Sequence, residues 1–362
     1  MILFRADGNS SVGMGHVMRC LSIADGFRNI GENCLFVTAD EGLHTIIEER
    51  GYENKVLNTR HDRMEEELIR LEEIINSEKI DMVFVDSYFV TDHYLRELRG
   101  FCGNRGILLI YLDDVLAFPY PCDILINYNI FASREAYEML YANTVNSHKT
   151  VPEFLIGTDY APQRAEFQGL PDREVRQTGR DILISTGGAD AEHMGLELMK
   201  CIMAHGEWKD YGFHFVIGAM NADKQEICSL AEGQKNIRLY QGVRRMSELM
   251  QSCDVAISAA GSTLYELCST QTPTLTYILA DNQIPGAEGF EKKQILKCIG
   301  DVRDLGAKKL AEELLRESVM LLEDATRRRA IAEKMKTVID GEGAKRIAKE
   351  VMELAERIDK LK

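Results

Sequence analysis

The chain has 362 residues, 45% of them hydrophobic, and a formal net charge of −15. That length exceeds one ordinary domain and suits two, each able to bury a core. The acidic balance, with no lysine- or arginine-rich block, argues against nucleic acid or an anionic membrane as principal partner.

The opening Ile2-Leu3-Phe4 reads as a short strand and Val17 to Phe27 as an amphipathic helix. Residues 34–38 form a second apolar strand, followed by a helix near 43–50, a strand around 55–57 and a charged helix over 62–78. Ile80 to Val85 is a buried strand ending at Asp86-Ser87-Tyr88. A helix over 91–101, a strand from Ile107 to Leu112 that ends in Asp113-Asp114, and a strand at 123–126 complete the first half. Continuous apolar strands alternating with helices imply a parallel sheet covered on both faces. Residues 157–180 lack periodicity and hold Gly169, Pro162 and Pro171, as a linker would. A second series starts at Asp181 to Ser185 and adds strands at 214–217, 237–240, 255–258 and 274–277. Charged amphipathic helices run from about 307 to 362. The expected fold class is α/β, with two doubly wound, Rossmann-like domains, residues 1–160 and 176–362, facing across a cleft. Such sheets take ligands at the carboxyl ends of their strands.

Nine cysteines without a C-x-x-C pair or metal-ligand spacing read as reduced core residues of a cytoplasmic protein. No apolar run approaches the roughly 20 residues that span a bilayer. Arg5 and Asp7 follow directly on the first apolar residues, so neither membrane insertion nor a signal peptide is expected.

Three glycine-bearing turns carry the chemistry. In the first, Arg5, Asp7 and Asn9 lead into Gly13-Met14-Gly15-His16, with Arg19 one helical turn on. A histidine at a helix N-terminus stands where negative charge is favoured and the imidazolium is not, which suits a neutral general base facing an anion. Gly15 allows close approach of a ligand, and Arg5 and Arg19 are candidates to balance phosphate or orient a sugar. The second turn, Thr186-Gly187-Gly188-Ala189-Asp190, exposes consecutive backbone N–H groups, as a diphosphate cradle requires. The third is Ala259-Ala260-Gly261-Ser262-Thr263, with Glu266 on the same helix face as Ser262 and able to accept ribose hydroxyls. Asn282 and Gln283 form a polar pair beyond another strand end. Asp113-Asp114 reads as turn and cap, and His44, His61, His93, His148, His193, His205 and His214 as surface or structural residues.

Together R-A-D-G-N, G-M-G-H-V-M-R-C-L-S-I-A, D-S-Y, S-T-G-G-A-D, S-A-A-G-S-T-L-Y-E-L and D-N-Q resemble one group of enzymes. They are similar to the UDP-2,4-diacetamido-2,4,6-trideoxy-β-L-altropyranose hydrolases of pseudaminic acid biosynthesis. These are GT-B relatives of the transferase that adds N-acetylglucosamine to the peptidoglycan lipid precursor. The resemblance spans residues 1 to about 285 and implies a UDP-sugar substrate in the interdomain cleft. It implies His16 as catalytic base, and Gly187, Gly188, Gly261, Ser262 and Thr263 on the diphosphate. It further implies Glu266 on the ribose, Asn282 and Gln283 near phosphate and sugar, and Tyr88 beside the sugar.

The expected reaction is attack of water on the anomeric carbon, His16 taking the proton and UDP leaving. No metal and no cofactor are expected. One rival is a glycosyltransferase, because the same fold and loop serve both reactions. Others are a non-catalytic nucleotide-sugar binding protein and a nucleotide-sugar 2-epimerase.

Overall fold

A computed structural model describes residues 1–9, 13–142 and 151–361. In chain order the first series is β1 (Ile2–Ala6), α1 (Gly15–Asn29), β2 (Cys34–Thr38), α2 (His44–Glu49), β3 (Glu53–Val56), α3 (Leu68–Ser77) and β4 (Met82–Asp86). It continues with α4 (Asp92–Gly103), β5 (Leu108–Leu112), β6 (Ile124–Asn127), α5 (Arg134–Ala142) and β7 (Glu153–Ile156). The second series runs β8 (Asp181–Ser185), α6 (Met194–Ala204), β9 (Gly212–Val216), α7 (Lys224–Ala231), β10 (Ile237–Tyr240), α8 (Met246–Ser252) and β11 (Val255–Ala259). Then follow α9 (Thr263–Ser269), β12 (Thr274–Ile278), α10 (Ile284–Lys292), β13 (Lys297–Asp301), α11 (Val302–Leu305), α12 (Ala307–Glu323) and α13 (Ala325–Lys336). The last helix is α14 (Gly343–Leu361).

Among the described residues the strands form two all-parallel sheets, in the order β3-β2-β1-β4-β5-β6-β7 and β10-β9-β8-β11-β12-β13. In each, the chain reverses direction of growth beside its first strand. The reversal opens a crevice between β1 and β4 in one sheet and between β8 and β11 in the other.

The first unit comprises Met1–Ala165 together with Glu342–Lys362, and the second Glu166–Gly341. Alternate residues of β1 serve opposite faces of its sheet. Phe4 stacks on Phe36 and Phe84, with centroids 5.2 and 4.7 Å away, on the face covered by α1 and α14. Leu3 packs on the other face with Leu71 of α3 and Leu95 of α4. The second unit packs its sheet against Met199 of α6 and Leu314 of α12.

The terminal helix departs from the expected boundary, which gave residues 176–362 to one domain. Its apolar face (Ile347, Val351, Leu354) joins the core of the first unit beside α1. The contact is tight: a Cβ on Gly26 of α1 would stand 2.5 Å from the Ala344 carbonyl oxygen. A helix last in the chain thus finishes the domain that was begun first.

The stretch anticipated as a linker is also tied down. Arg176 donates from Nε and Nη2 to Asp254, 2.7 Å each, and the backbone N–H of Arg180 reaches the same carboxylate at 2.7 Å.

Candidate active site

The carboxyl edge of the first sheet gathers charged and polar side chains beyond the ends of four strands. His16 lies in the first turn of α1, beyond β1, and Asp86 is the last residue of the adjacent β4. His16 Nδ1 is 2.6 Å from Asp86 Oδ1. Arg19 donates from Nε to Asp86 Oδ2 at 2.6 Å and from Nη2 to Oδ1 at 2.5 Å. Its Nη1 reaches Asp114 Oδ1 at 3.0 Å and the Tyr128 hydroxyl at 2.9 Å. Asp114 in turn accepts from Asn129 Nδ2 at 2.7 Å. Burial opposes the Asp86 charge, yet Arg19 and His16 hold its carboxyl well below the usual carboxylate range. The Tyr88 ring stands edge-on to the imidazole, 4.4 Å between centroids, and is itself 45% exposed.

Three features differ from expectation here. His16 is only 4% exposed, so its imidazole is more enclosed than a histidine facing open solvent. Arg19, anticipated on phosphate or sugar, is instead committed to Asp86 and Asp114. Arg5 is wholly buried, its Nε and Nη2 each 2.6 Å from Glu67 and its Nη1 2.7 Å from Asp7. Asp7 also accepts from the backbone N–H of Ala39 at 2.7 Å, and Tyr94 donates its hydroxyl to Glu67 at 2.8 Å. Arg5 and Asp7 therefore brace β1 from below. A bidentate ion pair sealed from water cannot also bind a ligand.

Asp113 behaves as a turn former, accepting from the N–H groups of Val115 and Leu116 at 2.9 Å each. Among the other histidines, His193 pairs with Asp223 and His214 with Asp181 and Tyr240, while His148 lies outside the described residues.

The carboxyl edge of the second sheet is built differently. Three turns stand at the ends of the neighbouring strands β8, β11 and β12. Gly187 holds φ at +91°, a conformation other residues adopt only under strain, and it is exposed. The next helix does not begin until Met194, and Asp190 accepts from the N–H groups of Met194 and Gly195 at 3.0 and 2.8 Å. The N-terminus of α6 is thus already capped by a carboxylate. What the turn offers a phosphate is the backbone of residues 187–189 rather than the helix end.

At the second turn α9 has no side-chain cap. Ser262 is exposed, and Gly261, Thr263 and Glu266 are half-buried, so the hydroxyls and the carboxylate share one open edge. At the third, Asn282 is exposed, while the Gln283 side-chain oxygen accepts from Leu279 N–H at 2.9 Å, leaving its amide hydrogens to point elsewhere. Gly15, at the start of α1, is exposed.

Asp86 and Asp114 were missed as members of the site. The D-S-Y motif held the signal for Asp86, since a carboxylate ending a central strand beside the switch point faces whatever follows β1. Among the described residues, no group of three or more histidine, cysteine or acidic side chains could hold a metal ion. Among the same residues no helix is long and apolar enough to cross a membrane. All nine cysteines are free.

Residues 182–351 match the Glycosyltransferase family 28 C-terminal domain. The chain is 26% identical over 297 residues to UDP-2,4-diacetamido-2,4,6-trideoxy-beta-L-altropyranose hydrolase of Campylobacter jejuni, covering 81% of this chain and 96% of that protein. It is 25% identical over 291 residues (79% of this chain) to a Helicobacter pylori protein named for the same hydrolase joined to pseudaminic acid cytidylyltransferase. The chain spans about half the length of two of the curated relatives it matches, 55% of one and 46% of the Helicobacter pylori protein. The crystal structure of Acinetobacter baumannii MurG superposes over 97% of this chain and 99% of that one with a TM-score of 0.65 at 11% identity, a likeness of fold. The chain thus has the GT-B fold, matches the glycosyltransferase family 28 C-terminal domain over residues 182–351, and is similar to the UDP-2,4-diacetamido-2,4,6-trideoxy-β-L-altropyranose hydrolases.

Proposed function

We propose that this protein hydrolyses a UDP-linked 2,4-diacetamido-2,4,6-trideoxy hexose, releasing UDP, as a step in nonulosonic (pseudaminic) acid biosynthesis. Likeness to the Campylobacter jejuni hydrolase over 96% of that protein's length supports the substrate class. The observation that carries the chemistry is the pairing of His16 with Asp86 at the switch point of the first sheet.

In this reading the second unit takes UDP through its backbone. Gly187 and Gly188 meet one phosphate, Gly261, Ser262 and Thr263 the other, Glu266 the ribose, and Asn282 and Gln283 the phosphate and sugar. The first unit supplies the base. Water attacks the anomeric carbon, its proton passes to His16, and the anomeric C–O bond breaks with the electron pair leaving on UDP. Backbone donors aimed at the diphosphate stabilise the charge that builds there. UDP is a good leaving group, so the two-carboxylate arrangement of ordinary glycosidases is not required. Nine free cysteines suit a reducing cytoplasm, where we place the reaction. A net charge of −15 disfavours nucleic acid as a partner.

A transferase is the rival reading, because the chain matches a glycosyltransferase family 28 domain and shares the fold of MurG, and one fold can serve both reactions. Incubating the protein with the UDP-sugar alone separates them. We expect stoichiometric UDP and free sugar without any acceptor. UDP release that begins only when an acceptor is added would assign the chain to the transferases.

A further inference from the structure

The geometry points to Asp86 as the positioning residue that fixes His16 in the Nδ1–H tautomer, with Arg19 and Asp114 completing the cluster that holds Asp86 in place. This rests on the hydrolytic reading of the same site. It starts from a conflict at one atom. His16 Nδ1 has a carboxylate oxygen 2.6 Å away and a guanidinium nitrogen, Arg19 Nη2, 3.1 Å away. An ionised carboxylate only accepts, and a guanidinium only donates, so Nδ1 cannot satisfy both. The shorter, charge-assisted contact decides, and Arg19 Nη2 has its own acceptor in Asp86 Oδ1 at 2.5 Å. Nδ1 therefore carries the hydrogen, and Nε2 carries the lone pair.

The groups around the imidazole come from every neighbouring element. They are Arg19 on α1, Asp86 and Tyr88 at the end of β4, Asp114 beyond β5, and Tyr128 beyond β6, with the Cys20 thiol donating to Asp86 at 3.4 Å. Two carboxylates against one guanidinium leave the cluster with one negative charge. Arg19 bridges the two carboxylates and so holds Asp86 in place against the imidazole. As water attacks the anomeric carbon, its oxygen lone pair forms the new C–O bond and its proton moves to Nε2. The anomeric carbon–diphosphate bond breaks onto UDP. The resulting imidazolium holds a hydrogen on each nitrogen, Nδ1–H still donating to Asp86, and later returns the Nε2 proton to solvent. Arg19 touches neither substrate nor water in this scheme; it keeps Asp86 ionised and aimed.

Long-range ¹H–¹⁵N spectra of ¹⁵N-histidine-labelled full-length protein at pH 8 test the assignment without substrate, with His16→Gln identifying the signal. We expect a protonated-type Nδ1 and an unprotonated-type Nε2 in the wild type. An Nε2–H signal would overturn the proposal, and because this needs no variant to fold, it decides by itself. Asp86→Ala leaves Arg19 Nη2 as the near neighbour of Nδ1, and should switch the signal to Nε2–H. Its kcat should fall about 10²–10³-fold with KM changed less than about threefold, and Asp86→Glu should restore part of the loss. Asp114→Asn should keep the tautomer, because Asp86 still accepts from Nδ1. A switch to Nε2–H in that variant would take the positioning role away from Asp86 alone. If the wild type shows the Nδ1–H tautomer but releases no UDP from the sugar nucleotide, the hydrolytic reading fails and the tautomer stands. If the protein releases UDP while His16 carries its hydrogen on Nε2, hydrolysis stands and the positioning role of Asp86 fails.

Discussion

The two units share a doubly wound sheet and a crevice in the same topological place, yet they furnish that crevice in opposite ways. In the first unit the crevice is lined by side chains, with a histidine, an arginine and two aspartates bonded to one another and largely withdrawn from solvent. In the second it is lined by backbone and small residues, with exposed glycine and hydroxyl turns. A preorganised charge cluster can move a proton but has few groups left to grip a ligand. A bare turn can cradle an anion but has no group that titrates near neutrality. In the proposed reading the same fold separates chemistry from binding.

If that division is right, substitutions at the two edges should affect different constants. The largest effect belongs to His16→Ala, expected to lower kcat by about 10²–10⁴-fold while leaving UDP affinity within about twofold. Steady-state rates and calorimetric titration with UDP measure the two separately. Equal losses in both would erase the distinction. Arg5→Met should act on stability instead, costing about 3–5 kcal/mol in urea unfolding because Glu67 is left buried without its partner. The folded fraction should keep near-normal kcat, and a large loss there would restore Arg5 to the site.

On the other edge, Gly187→Ala forces a side chain into φ of +91° at a cost of about 1–2 kcal/mol, which should weaken UDP binding about 5–30-fold without changing kcat at saturation. Glu266→Ala should weaken UDP about tenfold and leave a nucleotide lacking ribose hydroxyls unaffected. The smallest effect is one of pH. Asp86 has a lowered folded-state pKa, so its contribution to stability is full above the unfolded carboxylate value of about 3.9 and is lost as pH falls toward the folded one. The difference in urea midpoint between wild type and Asp86→Asn should be constant from about pH 6 to 8 and shrink below about pH 4. A difference that grew on acidification would contradict the ionised Asp86 described above.

Much of the fold could be read along the chain, because strands such as β2, β8 and β10 are short runs bounded by turn residues, and their ends agree with the structure. The edge strands β7 and β13 escaped notice. β7 has four residues, and Lys297–Asp301 is polar at both ends with every residue only half-buried, so neither shows the apolar run of a central strand. The return of α14 to the first unit is invisible to periodicity, which shows that a helix has an apolar face but not which sheet receives it. The positions of His16, Gly187 and Glu266 beyond strand ends could be read from the motifs, because each follows a strand closely. The ion pairs of Arg5 and Arg19 were not legible in the motif for a single reason. The Glu67 partner of Arg5 lies 62 residues away and the Asp86 and Asp114 partners of Arg19 lie 67 and 95 residues away, and an arginine near a glycine loop looks available until those partners are in view. Asp190 likewise reads as part of a phosphate turn until its carboxylate is seen capping α6.

The separation of roles is tested most directly by amide hydrogen exchange with and without UDP. The account predicts the strongest added protection at residues 187–189 and 261–266, with the β4 end at Asp86 and the first turn of α1 little changed. Protection concentrated around His16 and Asp86, with the glycine turns of the second unit unaffected, would contradict it.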